Sequence, residues 1–222
     1  MRPIQDVEAD VIAAADAVDE QSLALLRKEL QDRDTPEALA LTARIQGFTS
    51  AFAGAYEEAR TSFEAALAFY EGASRFTDIA YVTSNLGRVH VLRGDATLGL
   101  EWFKKSLALF EDLGDRSGSA RVLHNLGTVY SALGSHGDAV MWFTRALAAY
   151  KDLDDRRKIA DSHLNIGINY EYSSSYPEAL DHLDKALALY EELGDRSLAT
   201  SVWSNIGTVH HLMGYHTVAF EF

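Results

Sequence analysis

The triplet Asn-Leu/Ile-Gly returns every forty residues, as Asn85-Leu86-Gly87, Asn125-Leu126-Gly127, Asn165-Ile166-Gly167 and Asn205-Ile206-Gly207. A fixed period of this length marks a repeat architecture, in which one supersecondary unit is copied and stacked on its neighbours. The glycine column also includes Gly47, and five further columns keep the same register. They are Gly54/Gly94/Gly134/Ser174/Gly214, Ala59/Gly99/Ala139/Ala179/Ala219, Phe63/Phe103/Phe143/Leu183, Ala66/Ser106/Ala146/Ala186 and Tyr70/Phe110/Tyr150/Tyr190. Any fold proposed for the chain has to place these columns in equivalent positions.

Within a unit the pattern is helical. Val122, Leu126, Tyr130 and Leu133 fall at i, i+4, i+8 and i+11, one apolar stripe at the α-helical period. Gly134 is expected to end that helix in the left-handed conformation favoured just past a C-terminus. A second helix places Ala139, Phe143, Ala146, Leu147, Tyr150 and Leu153 on one face. Gly127 is expected to face Ala139 and Ala146, small residues that let two backbones approach. The tail LGDRS, at Leu113–Ser117 and Leu193–Ser197, supplies a stop glycine and then Ser117 or Ser197 as the cap of the next helix. Few β-branched runs and no Asn-Gly hairpin signal compete with this reading. The fold class is therefore all-α.

The flanks are less regular. Thr35-Pro36 reads as a cap followed by a first-turn proline. Upstream, Val7, Val11 and Ile12, then Leu23, Leu26 and Leu30, point to two short amphipathic helices. Residues 1–34 are expected to form a helical cap or degenerate repeat. Residues 35–222 form the array, with units near 38–77, 78–117, 118–157 and 158–197 and a partial one at 198–222. By column count Phe222 lies one position before the Phe63/Phe103/Phe143 column, inside a second helix. A continuation beyond residue 222, or a pairing of that open edge, is expected.

Composition removes several classes of function. A net charge of −13 argues against nucleic acid and against anionic membrane surfaces. The absence of cysteine removes disulfides, thiolate zinc sites and cysteine nucleophiles. The acidic N-terminus has no apolar core of a signal peptide, and no apolar run approaches the roughly 20 residues of a membrane span. A cytoplasmic protein is expected. His210, His211 and His216 invite a metal, but there is no HExxH, and His90 and His210 share the column of Tyr130 and Tyr170, where packed rings are expected. GDRSGS (114–119) has glycines but no phosphate-loop lysine. No catalytic residue, cofactor or metal is assigned.

The motif Leu126-Gly127-x2-Tyr130, Gly134, Ala139-x3-Phe143, Ala146 resembles the tetratricopeptide repeat (TPR), with only Trp203 keeping the family's leading tryptophan. The longer unit resembles the TPRs of Pins-type polarity adaptors, kinesin light chains and bacterial signalling proteins, over residues 35–222. The resemblance implies a right-handed superhelix of helix pairs, an α-solenoid, whose first helices line a concave groove. It also implies a partner-binding rather than catalytic role.

A second stripe on each first helix lies about 100° from the core stripe. In the third unit it comprises Arg121, Asn125, Thr128 and Ala132; the other units place Arg88 beside Asn85, and Tyr172 beyond Asn165. Neighbouring helices pack about 8–10 Å apart, so Asn85, Asn125, Asn165 and Asn205 would form a ladder. A carboxamide both donates and accepts, and one rung would meet about every third residue of an extended peptide. Resemblance to the Pins-type and kinesin light chain TPRs implies that use. A second reading has the amides satisfying groups within the stack. Arg88, Arg121 and His124 are expected to offer positive charge, and Asp161, Glu171 and Tyr172 to favour a basic or aromatic ligand end. Some TPR cochaperones grip a terminal carboxylate with lysines in the column that here holds Ser84, His124, Leu164 and Ser204, which argues against that clamp. The expected function is peptide or protein binding. The alternatives are a regulatory or sensory segment of a larger signalling protein, and homo-oligomerisation through the terminal repeat.

Overall fold

The computed structural model describes residues 2–215, apart from the side chain of Asp16. Its helices are α1 (Ile4–Asp16), α2 (Glu20–Leu30), α3 (Pro36–Phe52), α4 (Tyr56–Gly72), α5 (Phe76–Leu92), α6 (Ala96–Leu113), α7 (Arg116–Ala132), α8 (His136–Asp152), α9 (Arg156–Tyr172), α10 (Tyr176–Glu192) and α11 (Arg196–Leu212). No strand occurs among the described residues, and no described helix is long and apolar enough to cross a membrane. The expectations made at His216, Ala219 and Phe222 lie outside the described residues.

Helix ends follow from local chemistry. Thr35 caps α3 by accepting from the Ala38 N–H at 3.2 Å, with Pro36 at the first helical position. Past α7, Gly134 turns the chain at φ +73°. Ser174 holds the equivalent place after α9 at φ +60°, a cost that the glycines of the column avoid. The caps expected at Ser117 and Ser197 are corrected: Asp115 and Asp195 hold those places. Their carboxylates accept from Gly118 N–H at 2.8 Å and Leu198 N–H at 3.0 Å, and Asp155 does the same for Lys158 N–H at 3.0 Å. A carboxylate meets both the orphan N–H groups and the positive end of the helix dipole, so it outcompetes a hydroxyl two residues on.

Contacts divide the chain into two compact units, Met1–Leu113 and Gly114–Phe222. In unit 2, successive helices pack antiparallel, and the repeat columns form the core: Ala139, Phe143, Ala146, Ile166, Ala179, Leu183 and Ala186 are at most 1% exposed. Gly127 faces Phe143 more closely than the alanines expected there. A Cβ at Gly127 would sit 2.7 Å from the Phe143 ring. Gly→Ala in a helix interior is ordinarily worth up to about 1 kcal/mol of stability. At Gly127 it is expected to cost about 1–3 kcal/mol instead, because the ring has to shift inside a packed core. Thermal denaturation of Gly127→Ala reads the sign directly.

Unit 1 carries the same helix pairs at α3–α4 and α5–α6, with α1 and α2 packed ahead of them. Val7, Val11 and Ala15 of α1 and Leu23, Leu26 and Leu30 of α2 join its core. Inside that core lies a closed ring of charge. Arg44, 0% exposed, donates from Nη1 to Glu8 Oε1 at 2.9 Å and to Asp78 Oδ1 at 3.1 Å. Arg75 Nη2 reaches Glu8 Oε2 and Asp78 Oδ2, each at 2.6 Å. Tyr70 stands beside both guanidiniums, 5.7 Å and 5.3 Å from its ring centre. The ring thus ties α1 to α3, α5 and the α4–α5 turn.

Candidate functional site

In unit 2 the second stripe of each first helix is the surface left uncovered by the core. Asn125, Asn165 and Asn205 sit one residue before Leu126, Ile166 and Ile206, which are at most 2% exposed, so each amide is half-buried at the margin of the packed face. Among the described residues the side chains of Asn125 and Asn205 make no hydrogen bond within the protein. Asn165 donates from Nδ2 to the Asp161 carbonyl one turn back, at 2.9 Å. That bond uses one of its two donors and leaves Oδ1 available. Thr128 is exposed and returns its hydroxyl to the His124 carbonyl at 3.1 Å. Tyr172, 65% exposed, closes the stripe on α9.

Charge along this face differs from the expectation. His124 is not cationic at neutral pH: its ring packs edge-on against Phe143 at 5.1 Å and near Tyr150 at 6.5 Å. Burial, with Lys158 adding to it, pushes its pKa down to about 4. Arg121 is half-buried and engaged within the protein. Asp161 is already satisfied. It accepts from the Tyr190 hydroxyl at 2.7 Å, and Lys158 and Arg157 lie 3.2 Å and 3.6 Å away. Glu171 differs: half-buried, its carboxylate has no hydrogen-bond or ion-pair partner among the described residues, and burial alone raises its pKa. Unit 1 has its own version of the stripe on α5, where Asn85 is half-buried and Arg88 lies over the Phe48 ring at 5.7 Å.

Four residues unread in the sequence pack around α9. Asn169, 1% exposed, stands in a column that otherwise holds Thr49, Val89, Val129 and Val209. It donates to the Asn165 carbonyl at 2.8 Å, and its Oδ1 lies 3.0 Å from His136 Nδ1. Because a carboxamide oxygen only accepts, His136 carries its proton on Nδ1. The His136 ring stacks on Tyr172, centroids 4.9 Å apart and planes 12° off parallel. Tyr172 is thus exposed yet held from below. On the other side of α9, His163 and His182 meet Nδ1 to Nδ1 at 3.1 Å. Burial, then the positive neighbours His182 and Lys151, pushes His163 to about 4. The sequence signal was available in the columns: Asn169 stands where other repeats have Val89, Val129 and Val209, His163 where they have Thr83, Leu123 and Trp203, and His182 where they have Trp102 and Trp142. Elsewhere the packed rings appear where expected. His90, 6% exposed, stacks on Trp102, and Tyr130 stacks on Trp142. Among the described residues no group of three metal-ligating side chains occurs.

The fold and the columns define a solenoid of paired helices. The tetratricopeptide repeat family model matches residues 78–152 and 158–222, more than half of the chain, and the chain belongs to that family. No curated protein sequence matches it. Solved structures share the fold at low identity. BtubC (BKLC) from P. vanneervenii superposes with a TM-score of 0.73 at 17% identity, covering 98% of this chain and 85% of that one. A Rap protein complexed with Competence and Sporulation Factor gives 0.75 at 13% identity, covering 98% of this chain and 61% of that one. A putative kinesin light chain from Podosopora anserina with nearly identical TPR-like repeats gives 0.70 at 15%, covering 85% and 92%.

Proposed function

We propose that the chain is a protein-interaction module that holds an extended peptide segment along the first helices of unit 2, through the carboxamides of Asn125, Asn165 and Asn205. The observation that carries this reading is the unused hydrogen-bonding capacity of those amides. Among the described residues two have no hydrogen-bond partner and the third keeps an acceptor free, at positions one residue from the core. An amide that only satisfied the stack would be spent. The Rap fold relative is complexed with a factor of its own, consistent with ligand binding on this scaffold. Thr128 and Tyr172 flank the rungs and are free to meet ligand side chains, while Asn85 and Arg88 offer a similar stripe on unit 1.

The test is selection of twelve-residue peptides from a random library against the full chain, followed by titration of the selected peptides into Asn125→Ala/Asn205→Ala. Each rung offers a ligand about 1 kcal/mol of hydrogen bonding, more where water is excluded. The double substitution is therefore expected to weaken every selected peptide by roughly tenfold or more while leaving the helical content unchanged. Undiminished binding in a folded double variant would move the ligand off this face.

A further inference from the structure

We propose that the last turn of α9 is a seat for a basic side chain of the bound peptide, arginine or lysine, between the Glu171 carboxylate and the exposed ring of Tyr172. This rests on the peptide-binding reading above and adds to it the chemistry of one ligand residue.

Three independent features favour a cation at this point. The first is Glu171 itself. Taking a carboxylate half out of water without a partner costs free energy, and neither an arginine, a lysine nor a hydroxyl of the described protein answers it. Asp161, at the other end of the same helix, shows the contrast: two cations and a tyrosine hydroxyl satisfy it, leaving nothing for a ligand. The second feature is the helix end. Residues 171 and 172 stand where α9 stops, next to the partial negative charge of its C-terminus, and its last turn contains no basic residue. An acidic side chain at that end is locally unfavourable until a cation joins it. The third is Tyr172, whose exposed ring is fixed by the chain from Asn169 through His136. A guanidinium or ammonium over an aromatic face gains electrostatic attraction, and a ring already held in place loses little entropy on receiving it. Ile168, one turn back and half-buried, provides an apolar floor for the aliphatic stem of such a side chain. The raised pKa of Glu171 agrees with this: a bound cation would draw the proton away, so capture strengthens as pH rises through the Glu171 range.

The experiment uses four peptide libraries, each with one central position fixed as arginine, lysine, glutamate or norleucine and random flanks, panned against the full chain. Wild type is expected to enrich the arginine and lysine libraries about tenfold over norleucine and to reject glutamate. Glu171→Gln, which removes no internal contact and therefore folds, is expected to abolish the preference while still binding peptides. Asn125→Ala/Asn205→Ala is expected to weaken all libraries together and leave the preference intact. Peptides that bind through the amides with no basic preference, or a preference unchanged in Glu171→Gln, would overturn this inference and leave the amide ladder standing. No binding by any library would overturn both.

Discussion

Arg44→Ala is expected to destabilise unit 1 by about 3–5 kcal/mol, the range seen when one partner of a buried ion pair is removed. The reason is what it leaves behind. Glu8 and Asp78 would face each other inside the core with only Arg75, itself about one-third exposed, to balance them. Since Glu8 is α1's only charged group in the ring, α1 is the element expected to separate, exposing Val7 and Val11. Replacing the set together, Glu8→Leu/Arg44→Met/Asp78→Leu, is expected to recover most of the loss, because Arg75 can turn to solvent. Chemical denaturation of both variants distinguishes this account from one in which Arg44 merely fills space, where the triple variant would be no better than the single. The ring also sets a pH window. Burial, then the hydrogen bond shared with Glu8, pushes Asp78 up to about 7. Burial acts upward on Glu8 too, but the hydrogen bonds with Asp78 and Arg75 outweigh it and hold Glu8 below its ordinary value. A raised carboxyl stabilises the fold at low pH and loses that contribution as pH rises through about 7. A lowered one contributes above its ordinary value and loses that contribution as pH falls. The docking of α1 is therefore expected to be tightest at weakly acidic pH.

Unit 2 is expected to respond to acid in the opposite sense. His124 and His163 are both pushed from an ordinary value near 6.5 down to about 4. Their neutral forms stabilise the fold above the ordinary value, and that contribution drains away as pH falls from 6.5 through about 4. For the enclosed His124 the gap corresponds to roughly 3 kcal/mol. His163 contributes less, because its partner His182 is only half-buried and water screens the pair. Amide hydrogen exchange at pH 4.5, corrected for intrinsic rates, is expected to show α7, α8, α9 and α10 opening while α1 remains protected. His124→Leu, the residue that Leu164 supplies in the same column, is expected to remove most of the acid sensitivity around α7 and α8. Equal acid loss in both units, or no change in that variant, would contradict the assignment.

Much of this structure is written in the period. The columns at Gly127, Ala139, Phe143 and Tyr150 depend only on spacing, and spacing survives in one sequence without any comparison. The asparagines were legible for the same reason. What the period does not carry is pairing across it. Glu8, Arg44 and Asp78 occupy unrelated positions, and only packing α1 on the first helix pair brings them within 3.1 Å of a shared guanidinium. The charge pattern expected along the ladder face failed for a related reason. His124 lies beside Asn125 in sequence, but 100° of helix turns it under Phe143. Asp161 counts as an open acid until Tyr190, from the next helix, is seen to claim it. The cap falls at Asp115 rather than Ser117 because a carboxylate answers both the orphan N–H groups and the helix dipole.

The role proposed for the unit 2 amides is to hold a ligand by its backbone. The most direct measurement is a double-mutant cycle between Asn125→Ala and N-methylation of single backbone amides along a selected twelve-residue peptide. N-methylation removes a backbone donor and leaves the side chains in place. One peptide position is expected to be non-additive with Asn125→Ala by about 1 kcal/mol or more, and a second, about six residues along because Asn205 lies two rungs away, is expected to be non-additive with Asn205→Ala. Strict additivity at every peptide position, with affinity lost only on changing peptide side chains, would show that the asparagines do not hold the backbone and that the ladder is part of the scaffold.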